Sequence, residues 1–238
     1  MNFNKDGISK GKLKILQPTK GYRFSVDSIL LSHFARPPKN ATVVDLGCGV
    51  GIIGVILAGK RQDIKVIGIE IQEELFNLAL ENIKSNSIED RMEVILGDIK
   101  DINRYLPSGK FQCVISNPPY IRQGRGKVPP DYVKAIAKSE SEMSIDDLIK
   151  SAEYLLKNGG RFALIWTTRR FAGLIYNLKV RNLEPKRIRF VHPYSDRKAN
   201  LVLVEAVKNG GEELIIEKPL VIWKFERIYT DEVLEMLR

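Results

Sequence analysis

Cysteine and histidine are scarce in this chain of 238 residues, which holds two of each. Cys48 and Cys113 fall in a turn-like and a core-like segment, with neither a disulfide framework nor a zinc-ligand spacing. A reducing, cytoplasmic setting is therefore expected. Long apolar runs are also missing. The longest, 50–58, is interrupted by two glycines and is far too short to span a bilayer. The first six residues are polar and carry no apolar signal core. No internal repeat or low-complexity linker divides the chain, so one domain over 1–238 is expected. Acidic residues are in deficit, 29 against 38 Lys and Arg, leaving a net charge of +9. That balance favours an anionic partner, most simply nucleic acid; a solvated basic surface without one is the plainer alternative.

Against these absences stands Asn117-Pro118-Pro119-Tyr120. It follows 111–116, an apolar run that reads as a buried strand. In open α/β sheets, ligands bind outside the carboxyl ends of the strands. A planar amino group at this turn would meet two acceptors, the Asn117 side chain and the Pro118 carbonyl. Proline offers no competing amide hydrogen. Tyr120 can lie against the face of the same group, although a buried strand-end tyrosine is its ordinary reading. His33 and His192 do not adjoin this turn, which suits chemistry without a histidine general base.

Strand-like and helical segments alternate around it. Strands are expected at 41–46, 64–70, 92–96, 111–116, 161–166, 188–191 and 200–207, with helices at 51–60, 73–84 and 169–180. A further helix should start at a Ser144/Asp147 capping box and end at Asn158-Gly159-Gly160. This order predicts an α/β fold with a mainly parallel sheet and helices on both faces. The link 193–199 is too short for a parallel crossover, so the last two strands should pair antiparallel. A strand at 214–223 and a helix at 231–237 should follow, within a C-terminal extension of 209–238. Residues 1–40 precede the first core strand as a cap segment with a helix at 25–35. Residues 121–142 form a long polar stretch, expected to be a substrate loop.

Asp45-Leu46-Gly47-Cys48-Gly49-Val50-Gly51 joins the first strand to the first helix. Its alternate glycines permit a sharp turn and close approach of a ligand. Glu70 ends the second strand, where a carboxylate commonly receives ribose hydroxyls. A dinucleotide and a nucleoside fit this pattern equally well, and a ligand-free tight turn is the bland alternative. Asp98 ends the third strand and could accept from an adenine amino group, or be a solvated strand end.

On these motifs the chain resembles the class I S-adenosylmethionine-dependent methyltransferases over about residues 20–208, in particular their amino-methylating branch. The resemblance implies a Rossmann-like seven-stranded sheet with an antiparallel last hairpin, and S-adenosylmethionine as cofactor. It implies cofactor contacts at Asp45, Gly47, Gly49, Gly51, Glu70, Ile71, Asp98, Ile99 and Asn117. Catalysis would fall to Asn117, Pro118 and Tyr120. Residues 21–31 resemble the opening of the tRNA(Val) adenine-N(6) methyltransferases, which makes Arg23, Phe24 and Asp27 candidate cofactor contacts; an ordinary amphipathic helix is the other reading. The expected substrate is then the N(6) of the adenine 3′ of the anticodon in tRNA. Alternatives are another base, a protein glutamine, or an RNA-binding protein keeping only the fold. Neither metal nor membrane is expected. Basic residues at 122–138 and 169–198, with Lys12, Lys14, Lys20 and Arg23, are the candidate RNA contacts.

Overall fold

The computed structural model describes residues 3–8, 13–18, 26–119, 144–226 and 228–238. The chain opens with an antiparallel hairpin of β1 (Phe3–Ile8) and β2 (Leu13–Pro18), then helix α1 (Val26–Phe34). Next come β3 (Thr42–Leu46), α2 (Ile52–Lys60), β4 (Lys65–Glu70), α3 (Glu73–Ser85) and β5 (Met92–Leu96). A 3-10 turn, Ile99–Arg104, leads to β6 (Phe111–Ser116). After it come α4 (Ile145–Leu155), β7 (Leu156–Thr167), α5 (Phe171–Val180), β8 (Leu183–His192) and β9 (Leu201–Lys208). Two short strands, β10 (Ile215–Ile216) and β11 (Leu220–Val221), precede helix α6 (Asp231–Leu237).

The main sheet runs β5-β4-β3-β6-β7-β9-β8, with β10 and β11 both added parallel to β8. All pairs from β5 to β7 are parallel; β9 is antiparallel to both neighbours. The antiparallel last pair expected from the short 193–199 link is therefore present. Central strands are covered on both faces, which is why they read as unbroken apolar runs. Val43, Val44 and Leu46 of β3 and Val114 and Ile115 of β6 are all fully buried. The chain builds outward from β3 through β4 to β5, then returns to place β6 on the other side of β3. That reversal creates a crevice at the carboxyl ends of β3 and β6.

Several boundaries depart from the sequence reading. Helix α4 has its capping box: Ser144 Oγ accepts from Asp147 N at 3.1 Å, and the Asp147 carboxylate accepts from Ser144 N at 3.3 Å. It ends at Leu155, before Asn158, because Leu156 already pairs with Phe111 of β6. Gly159 (φ 73°) instead serves the irregularity before β7 rejoins β6 at Arg161. β8 begins at Leu183, earlier than 188, because Arg187 occupies an inward position that reads as a break in the pattern. The strand expected at 214–223 is two short strands on either side of Lys218-Pro219.

Arg187 has 6% of its surface exposed. Its guanidinium donates to Glu205 (3.2 Å), Glu217 (3.1 Å) and the Phe34 carbonyl (2.6 Å), and lies 4.0 Å from the centre of the Phe34 ring. It thus satisfies a carbonyl at the end of α1, where a cation also complements the helix dipole.

The hairpin was not anticipated, since its first strand, FNKDGI, is mostly polar. Two asparagines of α3 attach it. Asn82, fully buried, accepts from Leu16 N (2.6 Å) and donates to the carbonyls of Leu16 (3.0 Å) and Val50 (2.9 Å). Asn86 accepts from Lys14 N (2.9 Å) and donates to the Lys14 carbonyl (2.7 Å). Both side chains act as substitutes for a neighbouring strand. Asn82→Leu would leave buried backbone groups of Leu16 and Val50 without partners, at an expected loss of about 2–4 kcal/mol. Urea denaturation measures it; a loss under about 0.5 kcal/mol would contradict this role.

Candidate active site

Four adjacent strands, β6, β3, β4 and β5, bring the predicted residues to one end of the sheet. Asp45 pairs with Ile115, two residues before Asn117, and Glu70 pairs with Leu96, two residues before Asp98. With strands roughly 4.8 Å apart, three spacings set Asn117 and Asp98 roughly 14–15 Å apart along the crevice. That length suits a nucleoside with a short tail.

The glycine turn is held to β4 by its backbone. Gly47 N and Cys48 N both donate to the Ile69 carbonyl, at 2.9 and 3.0 Å. Gly47, Gly49 and Gly51 all have positive φ, at 71°, 58° and 79°, a region other residues enter at a cost. A Cβ built on Gly47 would meet nothing within 4 Å, so this turn borders open space. Helix α2 starts immediately after, with no acidic residue in its first turn.

Glu70 is 4% exposed. One carboxylate oxygen accepts from Gly49 N at 2.8 Å and the other from Gln72 N at 2.9 Å. Burial pushes its pKa up, while these amide donors pull it down. Each oxygen has a further lone pair to offer. Asp98 accepts from Lys100 N at 2.9 Å and stays partly exposed. Ile71, beside Glu70, is 53% exposed and can cover a ligand; Ile99, 6% exposed, sits in the core.

Asp45 is the anomaly. It is 1% exposed, and both carboxylate oxygens lack a hydrogen-bond partner. Burial, then the neighbouring Glu70 charge, pushes its pKa from 3.8 up to about 7. A buried polar group without a partner is costly. The same surroundings raise the Cys48 thiol well above its ordinary value and leave it inert. Two buried carboxylates in a strongly basic chain make a site for a cation. A pyrophosphate would be repelled here, which separates the two ligands that the glycine pattern left open. S-adenosylmethionine, with its sulfonium and ammonium charges, fits the donor set. No group of three or more His, Cys, Asp or Glu suited to a metal occurs among the described residues. Nor is any helix among them long and apolar enough to cross a membrane.

Asn117 is half-buried at the end of β6 and Pro118 is buried. Ser116 Oγ donates to the Leu46 carbonyl at 2.7 Å, tying β6 to β3 just below the turn. Asn117 Nδ2 donates to Ser28 Oγ at 2.9 Å. The amide hydrogens thereby point towards α1, and Asn117 Oδ1 remains an acceptor. Ser28 was not among the expected site residues. Its signal was a pair of polar residues, Asp27-Ser28, just ahead of the apolar run Ile29-Leu30-Leu31 in the same helix. Asp27, 1% exposed, neighbours it. Tyr120, Arg23, Phe24 and the 121–142 stretch lie outside the described residues, as do Lys12 and Lys20.

The expected basic surface needs correction. Of the cations at 169–198, Arg187 is buried and ion-paired, and Arg181 binds Asp146 through two nitrogens. Lys179, Lys186 and Arg189 are paired with Glu184, Glu213 and Glu232. Arg169, Arg170 and Lys198 are exposed, as is Arg197, which pairs with the equally exposed Asp196 at 3.6 Å. All four lie at the same end of the sheet as Asn117, because Thr168 bonds Asn200 and Ala199 across the β7 and β9 ends.

Comparison with known proteins identifies the family and the fold. The sequence matches the methyltransferase small domain over residues 25–178. A protein of Porphyromonas gingivalis (strain ATCC 33277) named tRNA1(Val) (adenine(37)-N6)-methyltransferase is 30% identical over 203 residues, covering 77% of this chain and 79% of that one. A protein of the same name from Actinobacillus pleuropneumoniae (serotype 7, strain AP76) is 25% identical over 138 residues, covering 58% of this chain and 56% of that one. The match thus spans little more than half the length of that relative. Among solved structures, one described as a predicted O-methyltransferase of Agrobacterium tumefaciens superposes with a TM-score of 0.72 at 23% identity, covering 88% of this chain and 94% of that one; this likeness is one of fold. With the family matched over more than half of its length, and the glycine turn and Asn117 inside the match, the chain belongs to the methyltransferase small domain family.

Proposed function

We propose that this chain methylates the N(6) amino group of adenine in tRNA, using S-adenosylmethionine, at the base 3′ of the anticodon. The observation that carries the reading is the Asn117–Ser28 bond, which leaves Asn117 Oδ1 an acceptor beside the crevice. The relatives' shared name supports the choice of substrate.

Glu70 would hold the ribose hydroxyls, Asp98 the adenine amino group and Asp45 the methionine ammonium. When bound, S-adenosylmethionine supplies a methyl group on a positively charged sulfur, open to attack by a lone pair. An adenine amino group is a poor nucleophile because its lone pair is delocalised into the ring. Asn117 Oδ1 and the Pro118 carbonyl would each take one amino hydrogen and draw the nitrogen out of the ring plane. The lone pair is then free to react, stabilised by fixed dipoles. The methylated nitrogen is briefly cationic and loses its extra proton readily, so no strong base is required. Tyr120 would stack on the base. The exposed Arg169, Arg170, Arg197 and Lys198 would follow the RNA backbone.

The test is methyl transfer from labelled S-adenosylmethionine to total tRNA from a strain lacking this protein, followed by nucleoside mass spectrometry. N(6)-methyladenosine is expected; label in protein glutamine and none in tRNA would refute the assignment. Ser28→Ala should lower kcat five- to tenfold, the equivalent of about 1–1.4 kcal/mol for one lost orienting bond. Cofactor affinity should stay within about twofold. An unchanged kcat would remove Ser28 from the site.

A further inference from the structure

We propose that a recess behind the Pro118-Pro119 turn seats an unstacked RNA nucleotide that neighbours the methylated base. The proposal rests on the tRNA reading above. The recess has a volume of about 460 Å³, within the range of pockets that enclose small ligands. Pro118 and Pro119 form the wall shared with the Asn117 turn, and Trp166 at the end of β7 lies opposite. Arg170, Gly173 and Asn177, on α5 and the turn before it, form the lip. The two prolines and the edge of the Trp166 ring, which is 5% exposed, give an apolar lining; at the rim stand a guanidinium and Asn177 Oδ1, since Asn177 Nδ2 donates to the Gly173 carbonyl at 2.7 Å. RNA is read largely through splayed bases, stacked on aromatic or guanidinium planes.

Gly173 is the position at which the recess can be filled. It lies inside α5, where glycine is less favourable than alanine. No positive φ requires it, and a Cβ built there would meet nothing within 4 Å. The position is open on its outer side, so a long side chain there would enter the space beside the recess. The path out of the recess is cationic. Thr168, beside Arg169 and Arg170, bonds the carbonyls of Ala199 and Asn200. That contact brings up the loop with exposed Arg197 and Lys198. A single strand leaving the recess would run along these charges.

Gly173→Leu would carry a branched side chain into the space where a Cβ alone meets nothing within 4 Å. With labelled methyl donor and total tRNA from a strain lacking this protein, Gly173→Leu should raise KM about tenfold or more. Cofactor affinity should be the same in Gly173→Leu and the parent. Arg170→Ala should lower the slope of log affinity against log salt by about one. Parent-like KM in Gly173→Leu, or a parent-like slope in Arg170→Ala, would overturn the recess assignment while leaving methylation intact. A parent protein that leaves tRNA unlabelled, or labels a glutamine peptide instead, would overturn the functional reading and this proposal with it.

Discussion

Asn117→Ala should reduce methyl transfer by about a hundredfold or more, with cofactor affinity almost unchanged. The carboxamide is half-buried at the mouth of the crevice, outside the packed core, so its loss should cost little stability. It touches the fold through one side-chain bond, to Ser28. What disappears is the acceptor that would draw an amino hydrogen out of the ring plane. Such fixed dipoles act on charge that develops during reaction, so the loss should fall on kcat more than on KM. Asn117→Asp sharpens the test. It keeps an acceptor oxygen of the same reach but forfeits the donor to Ser28. It should therefore retain more activity than alanine, though less than the parent. Single-turnover rates with saturating cofactor and tRNA would decide. An alanine variant within about threefold of the parent would show that residues 117–120 do not activate the nitrogen.

The second large effect concerns acidity. Asp45 has a folded-state pKa pushed up to about 7, against an ordinary 3.8, by burial and by Glu70. In the unfolded chain it ionises near its ordinary value. Between these limits the folded state binds more protons than the unfolded state, so stability must fall as pH rises. Below the window both states are protonated and the difference vanishes. Above it the penalty is complete, on the order of 4 kcal/mol for a pKa moved from 3.8 to about 7. Glu70, also raised, adds to the loss in the same direction. The ligand-free protein should therefore be more resistant to urea at pH 5 than at pH 8. Asp45→Asn should flatten that slope and stabilise the protein at pH 8. Binding of a cationic cofactor near pH 6.5 should expel a proton, visible as a buffer-dependent heat in calorimetry. A ligand-free protein equally stable at both pH values would refute the unpartnered carboxylate.

Much of this site is legible because it lies where strands end. β5 and β6 occupy the spans that their apolar runs suggested, and the glycine turn and Glu70 follow from local chemistry alone. What escaped notice has one character. Asn82, Ser28 and Arg187 are polar residues at buried positions, each satisfied by a partner between 18 and 153 residues away. A pattern of apolar spacing registers them only as interruptions. Asn82 lies on the inner stripe of α3 with Leu75, Leu78, Ala79 and Ile83, and nothing local shows that it holds a hairpin from the start of the chain. Arg187 similarly shortens the apparent strand at β8, because its carboxylate partners come from β9 and from the segment after β10.

Helix α1 is gripped at both ends, by Asn117 near its start and by Arg187 at its finish. Since Arg187 also holds Glu217, the tail of the chain is joined through one strut to the carboxamide that would do the chemistry. Deletions after residue 208 would remove more than a peripheral appendage. They would also strip the buried Leu220, Ile222 and Val233 from the core and two short strands from the edge of β8, so tail deletions should cost stability together with any loss of turnover.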